Sequence, residues 1–204
     1  MTVLPRRFYA RTPVTVARDL IGKTLVRRLS RNKRLGGVIV ETEAYGGKKD
    51  PASHAYIGRT QRNSVMFGEA GHAYVYFTYG MHYCLNFVTG KPGGEGAGAV
   101  LIRAIEPVLG VELMDKLRNV SDPRNLTNGP AKLCQALSID LSLNGCDVTS
   151  ETSEISVEDR PKAKKVMEIC SSSRIGIKLA IDRKWRFFAR GNRYVSAGAN
   201  IEES

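Results

Sequence analysis

The stretch Val38-Ile39-Val40-Glu41-Thr42-Glu43-Ala44-Tyr45 decides how this chain is read. It is rich in β-branched residues and follows a glycine pair, so it reads as a strand. Alternate residues of a strand share a face. Glu41, Glu43 and Tyr45 therefore point one way, and Val38, Val40, Thr42 and Ala44 the other. Two acids and a phenol ring backed by an apolar face fit the wall of a polar cleft. Taken alone they fit a solvated outer sheet face better, and only the rest of the region shifts the reading toward a cleft.

Further strands are expected downstream, at Tyr74 to Thr78, Tyr83 to Val88 and Ala99 to Ile105. Tyr79-Gly80-Met81-His82 lies between the first two of these, as a hairpin turn would. The glycine-rich run from Thr89 to Gly98 lacks the strand-then-helix setting of a phosphate-binding fingerprint and reads as a flexible connection. Upstream, Pro13 to Leu29 has Val16, Leu20 and Leu25 at helical spacing behind the start signals Thr12 and Pro13. The basic stretch Arg27 to Arg34 ends at Gly36-Gly37, a turn signal. Pro107 to Leu117 reads as helical. A second helix opens at Asn128-Gly129-Pro130, with Leu133 and Leu137 facing the core. Ser150 to Lys165 is polar and reads as a surface excursion. The segment from Arg174 to Ser196 closes the domain, with Trp185, Phe187 and Phe188 as apolar bulk. The fold expected is α+β: a single domain over residues 1–204, built around a curved antiparallel β-sheet with flanking helices.

Composition narrows the function class. Among 204 residues, 42% are hydrophobic, enough for a core, and 31 basic against 20 acidic residues leave a formal charge of +11. Such an excess suits a polyanionic partner, because neutralised phosphates release condensed counterions. Cys84, Cys134, Cys146 and Cys170 are scattered without zinc or redox spacing and read as free thiols, mostly buried. His54, His72 and His82 match no ligand pattern, so no metal site and no cofactor are expected. The first ten residues carry Arg6 and Arg7 but no apolar signal core, and no run reaches the ~18 apolar residues of a membrane span. An intracellular protein with no membrane association is expected.

Five of the eight tyrosines (Tyr45, Tyr56, Tyr74, Tyr76, Tyr79) fall between positions 45 and 79, interleaved with His54, Arg59 and Arg62. An aromatic stripe usually means core. Tyrosines mixed with arginines also suit the stacking of nucleic-acid bases, worth ~1–3 kcal/mol per base, and with a buried acid they meet the needs of a flipped-base pocket.

Beyond this point the sequence resembles the alkyladenine (methylpurine, 3-methyladenine) DNA glycosylases. The blocks that carry the resemblance are Ala17-Arg18-Asp19-Leu20-Ile21-Gly22-Lys23, Val40-Glu41-Thr42-Glu43-Ala44-Tyr45, Arg62-Asn63 with Met66-Phe67, and Tyr74-Val75-Tyr76 with Tyr79-Gly80-Met81. They continue through Leu101 to Pro107, Asn128 to Leu137, Arg174-Ile175-Gly176 and Gly191 to Ser196, spanning nearly the whole chain in order. The resemblance implies a DNA repair enzyme that flips an alkylated or deaminated purine from double-stranded DNA and hydrolyses its N-glycosidic bond. It implies Glu43 as the water-activating acid, and Tyr45, His54 and Tyr76 as walls of the base pocket. Asn86 and Arg103 would line the pocket and its approach, and Tyr79 would intercalate into the gap left by the base. The Gly-Pro start of the helix after Asn128 would offer N–H groups to a phosphate.

The chemistry is consistent with these roles. Breaking a purine–sugar bond builds positive charge on the sugar, which a nearby carboxylate stabilises while it takes a proton from water. A cationic alkylpurine between electron-rich rings also gains cation–π energy. No lysine stands as a Schiff-base candidate, so base release without strand cutting is expected, and a monomer suffices. Glu41 stays a rival to Glu43 on the same strand face. A non-catalytic nucleic-acid-binding module of the same fold, or an unrelated hydrolase with paired carboxylates, remains an alternative. For Glu43→Gln the expectation is lost base release with lesion binding kept, and for Glu41→Gln milder effects on both.

Overall fold

A computed structural model describes residues 2–90, 97–159 and 167–196. Its centre is a curled sheet in which, among the described residues, every strand pair is antiparallel. Strand β1 (Thr24–Ser30) pairs with β2 (Lys33–Tyr45), which also pairs with β5 (Gly98–Leu109). The hairpin β3 (Ala73–Thr78) and β4 (His82–Thr89) continues the sheet beyond β5. On the other side β6 (Ile155–Glu158) pairs with β1. The short strands β7 (Ile169–Ser172) and β8 (Arg186–Ala189) pair together, and β8 docks on the C-terminal half of β2. The helices are α1 (Arg6–Tyr9), α2 (Pro13–Leu20), α3 (Val111–Arg118) and α4 (Pro130–Ala136).

Strand β2 therefore has sheet on both edges along the acid-bearing stretch, which is why none of it reaches solvent. Thr12 caps α2 by accepting from the Thr15 N–H, and Pro13 occupies its first turn, where a missing N–H costs nothing. Val16, Ala17 and Leu20 of α2 share one core with Val40 and Ala44 of β2 and Ile102 of β5. Thr42, facing the same way, donates its buried hydroxyl to the Ala17 carbonyl at 2.8 Å. A bulge at Val40 interrupts the pairing, since Ile39 faces Ile105 and Glu41 faces Ala104. A compensating irregularity leaves Arg103 unpaired between Ala104 and Ile102, the partners of Glu41 and Thr42. Bulges bend a strand and re-aim its side chains; this one turns Arg103 toward the two acids of β2.

Several boundaries differ from the expectation. The helix starting at Pro13 stops at Leu20, Gly22 takes φ of 86°, and Leu25 lies in β1 instead. Gly36 and Gly37 are not a turn; the β1–β2 connection lies at Arg31 and Asn32, and both glycines sit inside β2. They are required by close approach: a Cβ on Gly36 would stand 2.4 Å from the Leu25 carbonyl oxygen, and one on Gly37 2.3 Å from that of Glu106. Pro107 still belongs to β5, and the helix expected there begins only at Val111. The presumed surface excursion from Ser150 contains the buried strand β6, while residues 160–166 lie outside the described residues. Of the glycine-rich connection, positions 91–96 also lie outside them. All four cysteines are free, with Cys84 and Cys134 buried and Cys146 and Cys170 half-buried.

Candidate active site

Glu41 and Glu43 are both 0% exposed, so the outer-face reading of the β2 acids is excluded. Each is compensated, as a buried charge must be, but in different ways. The Glu41 carboxylate accepts four hydrogen bonds. Its Oε1 accepts from Arg103 Nε (2.8 Å), Arg186 Nε (2.7 Å) and the Ser196 hydroxyl (2.8 Å), and its Oε2 from the Ser196 N–H (2.7 Å). Glu43 is more open: Oε1 accepts from the Ile175 N–H at 2.7 Å and lies 3.2 Å from Arg103 Nη1, while Oε2 accepts from the Tyr45 hydroxyl at 2.9 Å. Burial alone would discharge Arg103, but the charges of Glu43 and Glu41 outweigh it and raise its pKa above the ordinary value. Burial, reinforced by the Glu43 charge, pushes the Tyr45 phenol well above its ordinary value, so it stays a donor.

In front of this layer lies a cavity of about 290 Å³, near the low end of the ~300–1,000 Å³ typical of small-ligand sites. Its lining includes Tyr45, His54, Tyr76, Tyr79, Asn86 and Arg103, six of the seven residues picked from the sequence. Glu43 stands behind that wall, held by Tyr45 and Ile175, which both line the cavity.

His54 Nδ1 and the Tyr74 hydroxyl lie 3.0 Å apart, and the His54 ring meets Tyr76 edge-on at 4.6 Å between centroids. Burial, and then the positive charge of Arg62, lower the His54 pKa below its ordinary 6.5. Burial likewise raises the Tyr74 phenol to about 12. The segment carrying His54 is organised by the buried Asn63. Its amide donates to the carbonyls of His54 (2.8 Å) and Gly58 (2.9 Å), and its oxygen accepts from the Thr60 N–H (2.6 Å). On the floor, Asn86 Nδ2 donates to the Tyr74 carbonyl at 3.0 Å.

Tyr79 caps the β3–β4 hairpin and is 86% exposed. It and Gly80 both take positive φ (51° and 68°), and Met81 N–H closes the turn on the Thr78 carbonyl at 3.3 Å. Two positive-φ residues form the mirror-image turn that matches strand twist. Arg62 braces the hairpin from below, donating to the Phe77 carbonyl at 3.1 Å and lying 5.2 Å over the Tyr76 ring.

Sequence reasoning left out the back of the site. Arg174 and Asp50, both with side chains 0% exposed, form a two-pronged ion pair at 2.5 and 2.8 Å. Arg174 also donates to the Ala44 carbonyl at 2.9 Å and lies 4.8 Å from the Tyr45 ring centroid and 5.3 Å from that of Trp185. Asp50 accepts from the N–H groups of Gly46 and Ala52 besides. Burial would raise its carboxyl, but the Arg174 and Gly46 hydrogen bonds win and hold it below the usual range. One buried pair thus joins the end of β2, the approach to His54 and the chain entering Ile175. The available signal was the Arg174-Ile175-Gly176 block, but nothing in it points to Asp50.

Among the described residues no group of His, Cys, Asp or Glu could hold a metal ion, and no helix is long and apolar enough to cross a membrane. An aromatic cavity with a buried carboxylate and guanidinium behind it, on a strongly basic chain, is the kind of site an enzyme acting on a polyanion would carry. The chain belongs to the methylpurine-DNA glycosylases, DNA glycosylases of DNA repair: the model of that family matches residues 7–193. It is 51% identical over 194 residues to a protein of Carboxydothermus hydrogenoformans, covering 95% of this chain and 98% of that one. It is 50% identical over 203 residues to one of Methanocella arvoryzae (98% of each chain). Against a protein of Methanoculleus marisnigri the figure is 48% over 194 residues (95% and 98%). All three carry the name "Putative 3-methyladenine DNA glycosylase".

Proposed function

We propose that this glycosylase takes an alkylated or deaminated purine, such as 3-methyladenine, flipped from duplex DNA into the cavity, and hydrolyses its N-glycosidic bond with water activated by Glu43. The observation that carries this reading is the unequal satisfaction of the two buried acids. A carboxylate offers about four acceptor sites. Glu41 accepts four hydrogen bonds, three of them on Oε1, and serves to aim Arg103 and Arg186. Among the described residues Glu43 accepts only two, one on each oxygen, and both donors, Tyr45 and Ile175, line the cavity, so a lone pair on its Oε2 is left for a water on that side. The carboxylate then takes the water proton and steadies the positive charge growing on the sugar, while oxygen bonds to the anomeric carbon and the purine departs with the bonding pair.

Tyr45, His54 and Tyr76 form the walls around the base, Asn86 lies on the floor, and Tyr79 fills the stack. A cationic base gains between phenol rings, and His54, kept neutral by burial, adds no repulsion. Release ends at an abasic site without strand cutting, because hydrolysis needs no amine nucleophile. The test is incubation with duplex DNA carrying 3-methyladenine or hypoxanthine. Free base and alkali-labile, otherwise intact strands are expected. Strand scission without alkali would refute the hydrolytic route, and tight lesion binding without released base would favour a non-catalytic module.

A further inference from the structure

The loop between β7 and β8 carries near its start Arg174 and Ile175, which support the site, and Ile175, Gly176 and Ile177 line the cavity; the part beyond Ile177 has no role in the chemistry above. The loop is held at both ends on one segment. Arg174 grips Asp50 at its start, and at its far end Arg183 donates to the Lys49 carbonyl at 3.0 Å and stacks on Trp185 at 4.7 Å. Across the loop the Ser173 hydroxyl donates to the Ile181 carbonyl at 2.6 Å. At its tip Ala180 takes φ of 51°, a region that costs a non-glycine residue energy. This well-tied loop spends its rigidity on presenting Leu179 and Ile181, 56% and 60% exposed, beside Lys178 and Lys184.

Tyr79 offers the comparison. It too is an exposed apolar group at a positive-φ tip on the cavity rim, with Met81, 70% exposed, next to it. The cavity is thus lined by two loops, the Tyr79 hairpin and the β7–β8 loop, each of which exposes apolar side chains beside a positive-φ residue. Stiff apolar tips flanked by cations fit a nucleic-acid groove, where wedges pack against sugars and unstacked base edges while basic groups meet phosphate. A protein partner would not require the loop to line a base pocket as well.

We propose that the β7–β8 loop is a second DNA-gripping element besides the Tyr79 hairpin, setting Leu179 and Ile181 against the groove of the duplex beside the flipped nucleotide. The inference rests on the DNA-flipping reading of the cavity, but it concerns binding rather than bond cleavage.

The experiment is fluorescence anisotropy of the full chain with a labelled duplex bearing one hypoxanthine, across a salt series, for wild type and Leu179→Ser/Ile181→Ser. Leu141→Ser serves as a control at an equally exposed leucine distant in sequence (51%). The expected result is about tenfold weaker duplex binding by the double variant, with the slope of log K against log salt unchanged, because no phosphate contact is lost. The control binds like wild type. Unchanged affinity in the double variant, or a loss that the control shares, overturns the proposal. So does a loss accompanied by a shallower salt slope, which would make the loop a phosphate contact only. Both changed residues are exposed, and an unaltered melting temperature verifies that folding is intact. If wild type binds the duplex but releases no base, the hydrolytic reading fails while the loop result still stands.

Discussion

Arg174→Met removes one half of the buried pair behind the cavity and leaves Asp50 without its main counter-charge. The remaining partners of Asp50 are the N–H groups of Gly46 and Ala52 and the Arg183 guanidinium at 3.7 Å, which is not a hydrogen bond. Breaking a fully buried pair from one side costs ~3–5 kcal/mol. Against a total stability of ~5–15 kcal/mol, and at ~2–4 °C per kcal/mol for a chain of this size, Tm falls by about 6–20 °C. Function falls further than folding does. The variant loses the cation beneath Tyr45 and the tie to the Ala44 carbonyl, and it loosens the chain that presents the Ile175 N–H to Glu43. At a temperature where the variant is fully folded, single-turnover base release is expected to drop at least tenfold. The assay pairs urea unfolding with single-turnover kinetics for Arg174→Met, Asp50→Asn and the double variant. The double variant is expected to be no less stable than Arg174→Met, since it strands no charge. A single-variant loss below about 1 kcal/mol, the ordinary worth of an exposed pair, would refute the reasoning, as would strictly additive losses.

Glu41→Gln presents an amide to donors that Glu41 now satisfies as a carboxylate. It is expected to lower urea stability by ~3 kcal/mol or more, with base release per folded molecule reduced less than by Glu43→Gln. Gly37→Ala would drive a methyl group into the Glu106 carbonyl and, lacking any flexible neighbour to yield there, is expected to prevent accumulation of folded protein, as circular dichroism would show. His54 has a folded pKa lowered by burial and by Arg62, so its neutral form is favoured. Its contribution is complete above the unfolded pKa near 6.5 and is lost as pH falls toward the folded value. Binding of a cationic lesion is therefore expected to hold through pH 6.5 and to weaken only as pH falls to the lowered folded value, and His54→Asn to flatten that limb in a binding–pH profile.

The parts of the fold legible in the sequence were those where local pattern and tertiary fate coincide. Val38 to Tyr45, Tyr74 to Thr78 and the Tyr79-Gly80 turn are β-branched or aromatic runs with turn residues between them, and sheet pairing asked for nothing else. Leu25 was misread because Val16, Leu20 and Leu25 suit a helix stripe, while the break depends on the backbone at Gly22. Gly36 and Gly37 read as a turn in sequence because glycine marks both a bend and a close approach, and only the neighbouring carbonyls distinguish these. The strand at Ile155 hid inside polar surroundings, being a short strand at the end of the sheet. In the site, the acids and rings were visible as residue types, and the family resemblance picked them out. What separates Glu41 from Glu43 was invisible: Arg103, Ile175, Arg186 and Ser196 reach them from 60 to 155 positions away, through a bulge that no local pattern announces.

The central claim is that Glu43 activates the water, and Glu43→Gln tests it most directly. Gln retains an oxygen to accept from Ile175 or Tyr45 but cannot take a proton. Positioned acid–base groups contribute ~10²–10⁴ in rate. Single-turnover release of hypoxanthine from duplex DNA is therefore expected to fall by at least about a hundredfold, while the affinity for the same duplex stays within about threefold of wild type. Base release within tenfold of wild type, from a variant shown to be folded and binding DNA, would contradict the account and return the chemistry to another group of the cavity.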